Sequence, residues 1–360
     1  MAAPGRPTPA DENSDVSPSV SMQDVAVQAG VSLATVSRAL RGADNVRPDT
    51  AQRVRRVAAE LGFVASRSAS SLASGKLDRI AVLIGSPLED WFSGTVLDGI
   101  YPVLRENGYD LILYRVHDAA ERAEFFETLP ATRNADALVV ASFALTAAEH
   151  DRLTAMRMPL VYLNQDAPGH SSVSIDDVEA ARTGVAHLVR LGHERIAYLH
   201  NATEPGFRWS AERRYLGYRA ALEDAGLDPE RQVRIRLPDG PRFGRQALAE
   251  LLSAPDTPTA VFAEHDGLAV PLLLALGRAG LRYPDDLSVV GFDDQSSAEP
   301  HELTTMAQPA EELARQAARR ACALARGDVA GAESLLLPTT LVLRGSTSRY
   351  PPRAGEHRAP

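Results

Sequence analysis

The sequence predicts an all-α helix-turn-helix head followed by an α/β body of two parallel-sheet subdomains. Three observations carry this. Two short helical periods near the N-terminus are separated only by Gly30-Val31-Ser32. From residue 78 onward, apolar runs of strand length alternate with helix-length stretches. The formal charge of −9 over 360 residues is also unevenly placed: −2 on residues 1–20, +4 on 21–76 and −11 on 77–360. A compact basic segment ahead of a long acidic body is the footprint of a nucleic-acid-binding head on a regulatory body.

Residues 1–20 are rich in Pro, Ser, Asp and Ala without periodicity and read as a disordered tail, as do residues 350–360. The first twenty lack an apolar stretch of the kind a secretory signal needs, so the expected location is cytoplasmic.

Helical periodicity starts at Ser21, which can cap a helix whose third position is Asp24. Met22, Val25, Ala26 and Ala29 follow helical spacing, and Gly30 suits a left-handed stop. Ser32 can then cap SLATVSRAL, with Val36, Ala39 and Leu40 on the inner face. Two short helices joined by a tight, Gly-containing turn form the helix-turn-helix pattern, and small Ala26 and Ala29 allow its close crossing. A third helix follows, with Pro48 at its first position, Gly62 past its end, and Ala51, Val54, Ala58 and Leu61 as its apolar stripe. Arg53, Arg55 and Arg56 lie on or near its wet side.

In a helix-turn-helix the second helix enters the major groove. Its early exposed residues are Leu33 and Ala34, with Arg38 one turn on. Arg38 can pair with guanine O6 and N7, whereas Leu33 and Ala34 offer only apolar contact, as to thymine methyls. Ser32, Thr35 and Ser37 are short hydroxyls suited to phosphates.

In the body, strands are expected at 80–84, 110–114, 137–140 and 160–163, with helices at 95–107, 120–132 and 146–156 between them. A second set places strands at 196–199, 234–237, 260–262 and 287–291, and helices at 178–191, 211–225, 244–252 and 267–279. Some 270 residues exceed one comfortable sheet, hence two subdomains, and ligands of such folds sit beyond the carboxyl ends of the strands. Enzymatic motifs fail: no G-x-G-x-x-G follows a first strand, and SSLASGKLD lacks both the first Gly and the Ser/Thr of a phosphate loop. Neither G-x-S-x-G nor H-E-x-x-H occurs. The lone Cys322 rules out a disulfide framework and is expected in the core of an Ala-rich helix; His187 and His193 read as a helix residue and its following turn rather than metal ligands. No apolar run approaches the ~18 residues of a membrane span. The expectation is thus no enzyme, no cofactor, no metal and no membrane.

SMQDVAVQAGVSLATVSRALRG, VRPDTAQRVRRVAAELGF, SRSASSLASGK and IAVLIG, in that order, resemble the N-terminal signature of the LacI/GalR family of bacterial transcription regulators. In the body, HLVRLGHERIAYL, AERRYLGYRAALEDAGL, AVFAEHDGLAVPLLLALGRAGLRYPDDLSVVGFDD and LTTMAQP resemble the periplasmic-binding-protein-like ligand domain of the same family. The resemblance implies a helix-turn-helix domain over 21–64, a hinge helix and linker over 65–77, and an effector-binding and dimerisation domain over 78–349 with three crossovers between its subdomains. It places Ser21, Asn45 and Thr50 near DNA as well. It matches Leu72 to a hinge leucine that wedges into the minor groove and Ala69 to the small residue beside it. Three positions depart from the family: Arg41 replaces an Asn, Phe63-Val64-Ala65-Ser66 replaces Tyr-x-Pro-Asn, and Ser70 replaces a hinge Arg or Gln. These changes bear on operator sequence.

The resemblance also implies the effector site. Arg214 matches an effector-binding arginine and Asp293 an acceptor for hydroxyls or amines. His265-Asp266 stands where the family has Asn-Asp. Gln308, Trp91 and Phe92 match cleft-lining positions. The implied function is a ligand-responsive regulator, a repressor, that binds a pseudopalindromic double-stranded DNA operator as a homodimer under control of a small carbohydrate-like effector. The chain ends without apolar heptads, which favours a dimer over a tetramer. The alternative is a cytoplasmic sugar-binding protein without DNA function; a sugar-processing α/β enzyme is the third reading.

Overall fold

The structure, a computed structural model, describes residues 20–40, 46–63, 76–116, 118–129, 134–141, 144–165, 167, 169–202, 209–238 and 243–350. The chain divides into two compact units, Met1–Leu77 and Asp78–Pro360.

In the first unit, α1 (Met22–Ala29), α2 (Leu33–Leu40) and α3 (Pro48–Glu60) pack around Val25, Ala26, Ala29, Val36, Ala39, Val54, Val57 and Ala58. Ser21 caps α1 reciprocally: its Oγ accepts from the Asp24 amide at 3.3 Å, and Asp24 Oδ2 accepts from the Ser21 amide at 2.8 Å. The hydrogen bonds from Ser21 hold the Asp24 carboxyl below its usual range. Gly30 takes φ 64°, the left-handed turn that L side chains avoid, and lets Val31 start toward α2.

The second unit contains β1 (Arg79–Ile84), α4 (Trp91–Glu106), β2 (Asp110–Arg115), α5 (Ala119–Thr128), β3 (Ala137–Ala141), α6 (Ala147–Ala155), β4 (Leu160–Leu163) and β5 (Ser171–Ser174). After these come α7 (Asp177–Arg190), β6 (Ile196–Asn201), α8 (Trp209–Asp224), β7 (Arg234–Leu237), α9 (Phe243–Ser253), β8 (Ala260–Ala263), α10 (Asp266–Arg278), β9 (Ser288–Asp293) and β10 (Thr304–Ala307). Last are α11 (Ala310–Arg326), β11 (Ser334–Leu336) and β12 (Thr340–Val342). Two six-stranded sheets result, in the orders β11-β5-β4-β3-β1-β2 and β12-β10-β9-β8-β6-β7. All pairs are parallel except β12, which runs antiparallel to β10. The expected two-subdomain α/β architecture is therefore present, with one antiparallel edge added. β3, β4, β8 and β9 are buried throughout, as sheets covered on both faces require.

The chain passes between the sheets three times. It leaves the first after β5, returns after β10 with α11, which packs on α4, and leaves again between β11 and β12. This matches the three crossovers implied by the resemblance.

Four strands escaped the sequence reading, and α4 begins at Trp91 rather than 95. β5 reads SSVS yet is buried at all four positions. Its serines are satisfied within the fold: Ser171 Oγ accepts from Arg320 Nε at 3.0 Å, and Ser172 Oγ meets Ser334 Oγ at 3.1 Å. β10 reads TTMA and is tied in the same way, through Thr304 and Thr305 hydroxyls. Cys322 is fully buried on α11, and burial pushes its thiol up to about 11, so it behaves as core. His187 lies on α7 and His193 in the turn after it. His187 Nε2 lies 3.0 Å from Thr347 Oγ1, and His193 meets Thr259 Oγ1 and the Ser348 carbonyl at 2.9 and 3.1 Å. Both fasten the C-terminal segment onto the second sheet.

Candidate functional site

In the head, the outer face of α2 is open. Leu33 is 46% exposed, and Ser32, Ala34 and Arg38 are exposed too, while Thr35 and Ser37 are half-buried. Ser32 caps α2, its Oγ accepting the Thr35 amide at 3.2 Å and lying 2.8 Å from Thr35 Oγ1. Arg38 is folded back along its own helix, Nε donating to the Ala34 carbonyl at 3.1 Å. That bond uses the nitrogen that end-on pairing with guanine does not need and leaves the two terminal nitrogens for it. Ser21 is exposed at the start of α1, and Thr50 is half-buried in the first turn of α3. Asn45, Ala69 and Leu72 lie outside the described residues, as do Arg41, Ser66 and Ser70.

In the body, the sheet orders reverse beside β1 and β6, the points where α/β folds open a crevice at strand carboxyl ends. Most of the candidate residues follow strands on that side. Trp91 and Phe92 begin α4 after β1, both half-buried, and Phe92 packs on the core. His265 precedes α10 after β8, Asp293 ends β9 and Gln308 follows β10.

The centre is Arg214 on α8, only 5% exposed. Its Nε donates to Asp177 Oδ1 at 2.9 Å and its Nη1 to the Glu264 carbonyl at 2.7 Å. The same Nη1 lies 3.2 Å from Asp293 Oδ1, and the guanidinium stacks 3.6 Å from the Phe292 ring centroid. Asp293 Oδ1 accepts from Gln308 Nε2 at 2.7 Å, and Asp293 Oδ2 from Gln295 Nε2 at 3.2 Å. Arg214, Asp293 and Gln308 are thus brought together. Asp266 lies beside them, fully buried; Oδ1 accepts from Thr305 Oγ1 at 2.7 Å and Oδ2 from the Gln295 amide at 2.8 Å. Burial, helped by the Asp293 charge, pushes the Asp266 carboxyl up to about 7. Burial also raises Asp177 and Asp293 against the pull of Arg214. His265 is half-buried, with Nε2 3.4 Å from Asn201 Nδ2.

Sequence reasoning missed Asp177, Glu264 and Asn164. Asp176 and Asp177 look alike in the sequence, but the first caps α7 by accepting the Glu179 amide at 3.0 Å, and the second turns inward to Arg214. Asn164 follows β4, and its Nδ2 donates to Ser210 Oγ on α8 at 2.9 Å, linking the two subdomains. Buried Asn164 Oδ1, Gln308 Oε1 and Ser93 Oγ have no hydrogen-bond partner within the protein. Asn164 Oδ1 and Gln308 Oε1 are acceptors just beyond the carboxyl ends of β4 and β10, one on each sheet.

Residues 21–66 match the model for bacterial regulatory proteins of the lacI family, and residues 185–347 the periplasmic binding protein-like domain. The DegA regulator of Bacillus subtilis (strain 168) is 30% identical over 336 residues, covering 90% of this chain and 97% of that protein. This chain belongs to the lacI family. Other lacI-family relatives include the GalS regulator of Salmonella typhimurium, 34% identical over 335 residues, covering 91% of this chain and 97% of its own length. The structure of the lac repressor dimer bound to operator and the anti-inducer ONPF covers 92% of this lacI-family chain and 99% of that one, at TM-score 0.80 and 28% identity. A complex of the regulator CelR with cellobiose covers 91% and 99%, at TM-score 0.66 and 29% identity. Family membership makes the protein a DNA-binding transcriptional regulator with a ligand-binding body. Among the described residues no helix is long and apolar enough to cross a membrane.

Proposed function

We propose that the protein is a cytoplasmic repressor that binds a pseudopalindromic operator as a homodimer and changes its affinity when a small, hydroxyl-rich effector of the carbohydrate class enters the Arg214–Asp293–Gln308 site. The observation that carries this is the open outer face of α2 on the same chain as a buried polar cluster holding unmet acceptors. Lac repressor bound to operator and CelR bound to cellobiose support the same partners here.

One head offers too few base contacts for specific affinity at physiological salt, and two-fold symmetry doubles them. Arg38 reads guanine; Leu33 and Ala34 read methyl groups; Ser32, Thr35, Ser37, Ser21, Asn45 and Thr50 set register on the phosphates. Leu72, with Ala69 beside it, wedges the minor groove between the half-sites. The effector acts through its differential affinity for two arrangements of the subdomains, one of which favours the operator-bound head. The carboxylates at this site bind rather than react, so the protein turns over no substrate.

Binding of the selected operator, followed by fluorescence anisotropy, tests the DNA assignment. Arg38→Ala should cost about 1–3 kcal/mol on the operator and far less on random DNA. Leu72→Ala should weaken the operator complex alone. Equal losses on operator and random DNA would remove Arg38 from base reading, and unchanged operator affinity in Leu72→Ala would remove the wedge.

A further inference from the structure

The acids of the first twenty residues, Asp11, Glu12 and Asp15, stand close together, and no Lys or Arg occurs between Arg6 and Arg38. This acidic run precedes the residues matched to the lacI family, which begin at 21, and the reading of DNA does not use it. Residues 1–19 lie outside the described residues; the described chain starts at Val20, directly before the Ser21 cap of α1. The head carries the opposite charge. Arg47, which precedes α3, and Arg53, Arg55 and Arg56 on α3 are all exposed. Among the described residues only Arg56 has a carboxylate in reach, Glu60 at 3.8 Å, and both sides of that pair are exposed, which makes it weak. Base reading by α2 takes Arg38 and leaves these four arginines unassigned.

Chain length permits the two charges to meet. α3 has 13 residues and so runs about 20 Å. Asp15 precedes Ser21 by six residues and Asp11 by ten. An extended chain carries them up to about 20 Å and 33 Å from it, far enough to reach α3 from the start of α1. A tether this short keeps the acids at an effective concentration on the order of millimolar. DNA phosphates seek the same arginines. Carboxylates seated there must be displaced before phosphates replace them, whatever the base sequence. Salt screens the carboxylates off the arginines as well, so the obstruction fades as salt rises.

We infer that the acidic segment Asp11–Asp15 docks on the exposed arginines of α3 and holds down the affinity of the head for DNA of any sequence. The inference concerns the head alone and is independent of the effector site.

Binding of the full-length protein to a random-sequence duplex, followed by fluorescence anisotropy at about 0.05 M and about 0.3 M salt, tests it. The tail variant Asp11→Asn/Glu12→Gln/Asp15→Asn should bind about threefold or more tightly than wild type at the lower salt, and within about 1.5-fold of it at the higher. Unchanged affinity at the lower salt overturns the inference. Glu106→Gln/Glu124→Gln/Glu127→Gln removes three exposed acids from the body instead and should stay within about 1.5-fold of wild type. An equal gain in both variants reduces the effect to net charge and overturns the docking. Arg53→Gln/Arg55→Gln/Arg56→Gln separates docking from plain repulsion of DNA by the tail. In that background, neutralising the tail should gain less than about 1.5-fold. A gain as large as in wild type shows repulsion alone and overturns the docking.

Discussion

Arg214 is a side chain whose removal leaves more behind than it takes away. Two buried carboxylates, Asp177 and Asp293, share its guanidinium, and the Glu264 carbonyl is fixed by it. Arg214→Ala should cost about 3–5 kcal/mol in chemical denaturation, because it strands buried charge. A loss below about 1 kcal/mol would show the cluster to be hydrated and the guanidinium dispensable. Asp266 is near enough to feel the Asp293 charge, and burial with that charge raises its carboxyl from 3.8 to about 7. Protonation of Asp266 thus favours the folded chain. Its contribution is fully present below about 3.8 and is lost as pH rises through about 7. Asp266→Asn keeps an acceptor for the Gln295 amide and a group for Thr305, and removes the titration. The difference in unfolding free energy between variant and wild type should grow in the variant's favour by roughly 2–4 kcal/mol from acid to above neutral pH. The comparison must be a difference, because His170, His187, His193 and His200 are lowered by burial and act in the opposite sense. A constant difference across that range would place Asp266 in water.

At the scale of elements, α7 and α8 lie against each other so closely that Gly217 is required. A Cβ there would stand 2.1 Å from the Val178 carbonyl oxygen and 2.9 Å from Ala181 Cβ. Backbone cannot yield as a flexible side chain does, so Gly217→Ala should force the helices apart, lower the melting temperature by several degrees and displace Arg214, one turn away. A melting temperature equal to wild type would contradict that packing. The helices and the apolar strands were legible in the sequence because their periods are. The apolar runs at 80–84 and 287–291 read as buried strands, and Ser21, Gly30 and Pro48 marked helix ends by cap chemistry. β5 and β10 were not legible, since their buried Ser and Thr are satisfied by hydrogen bonds to Arg320, Ser334 and Asp266 that only the folded chain brings near. The site divides in the same way. Arg214, Asp293 and Gln308 were found through family resemblance and prove to touch, whereas Asp177 and Glu264 carry no local signal: one resembles its capping neighbour, the other an ordinary strand end.

At the scale of the whole molecule, the net charge of −9 conceals a basic reader and an acidic body. The body's acidity discourages it from clinging to DNA, so that specific affinity depends on the head. The proposed homodimer would turn one short reading helix into two, and its operator is then expected to be symmetric as well. Sequencing of genomic fragments retained by the full-length protein at about 0.15 M salt tests this most directly, with Arg38→Ala as the control. One enriched inverted repeat is expected, with a guanine in each half-site, that Arg38→Ala fails to enrich. A repeatless motif, or the same enrichment by both proteins, would contradict it.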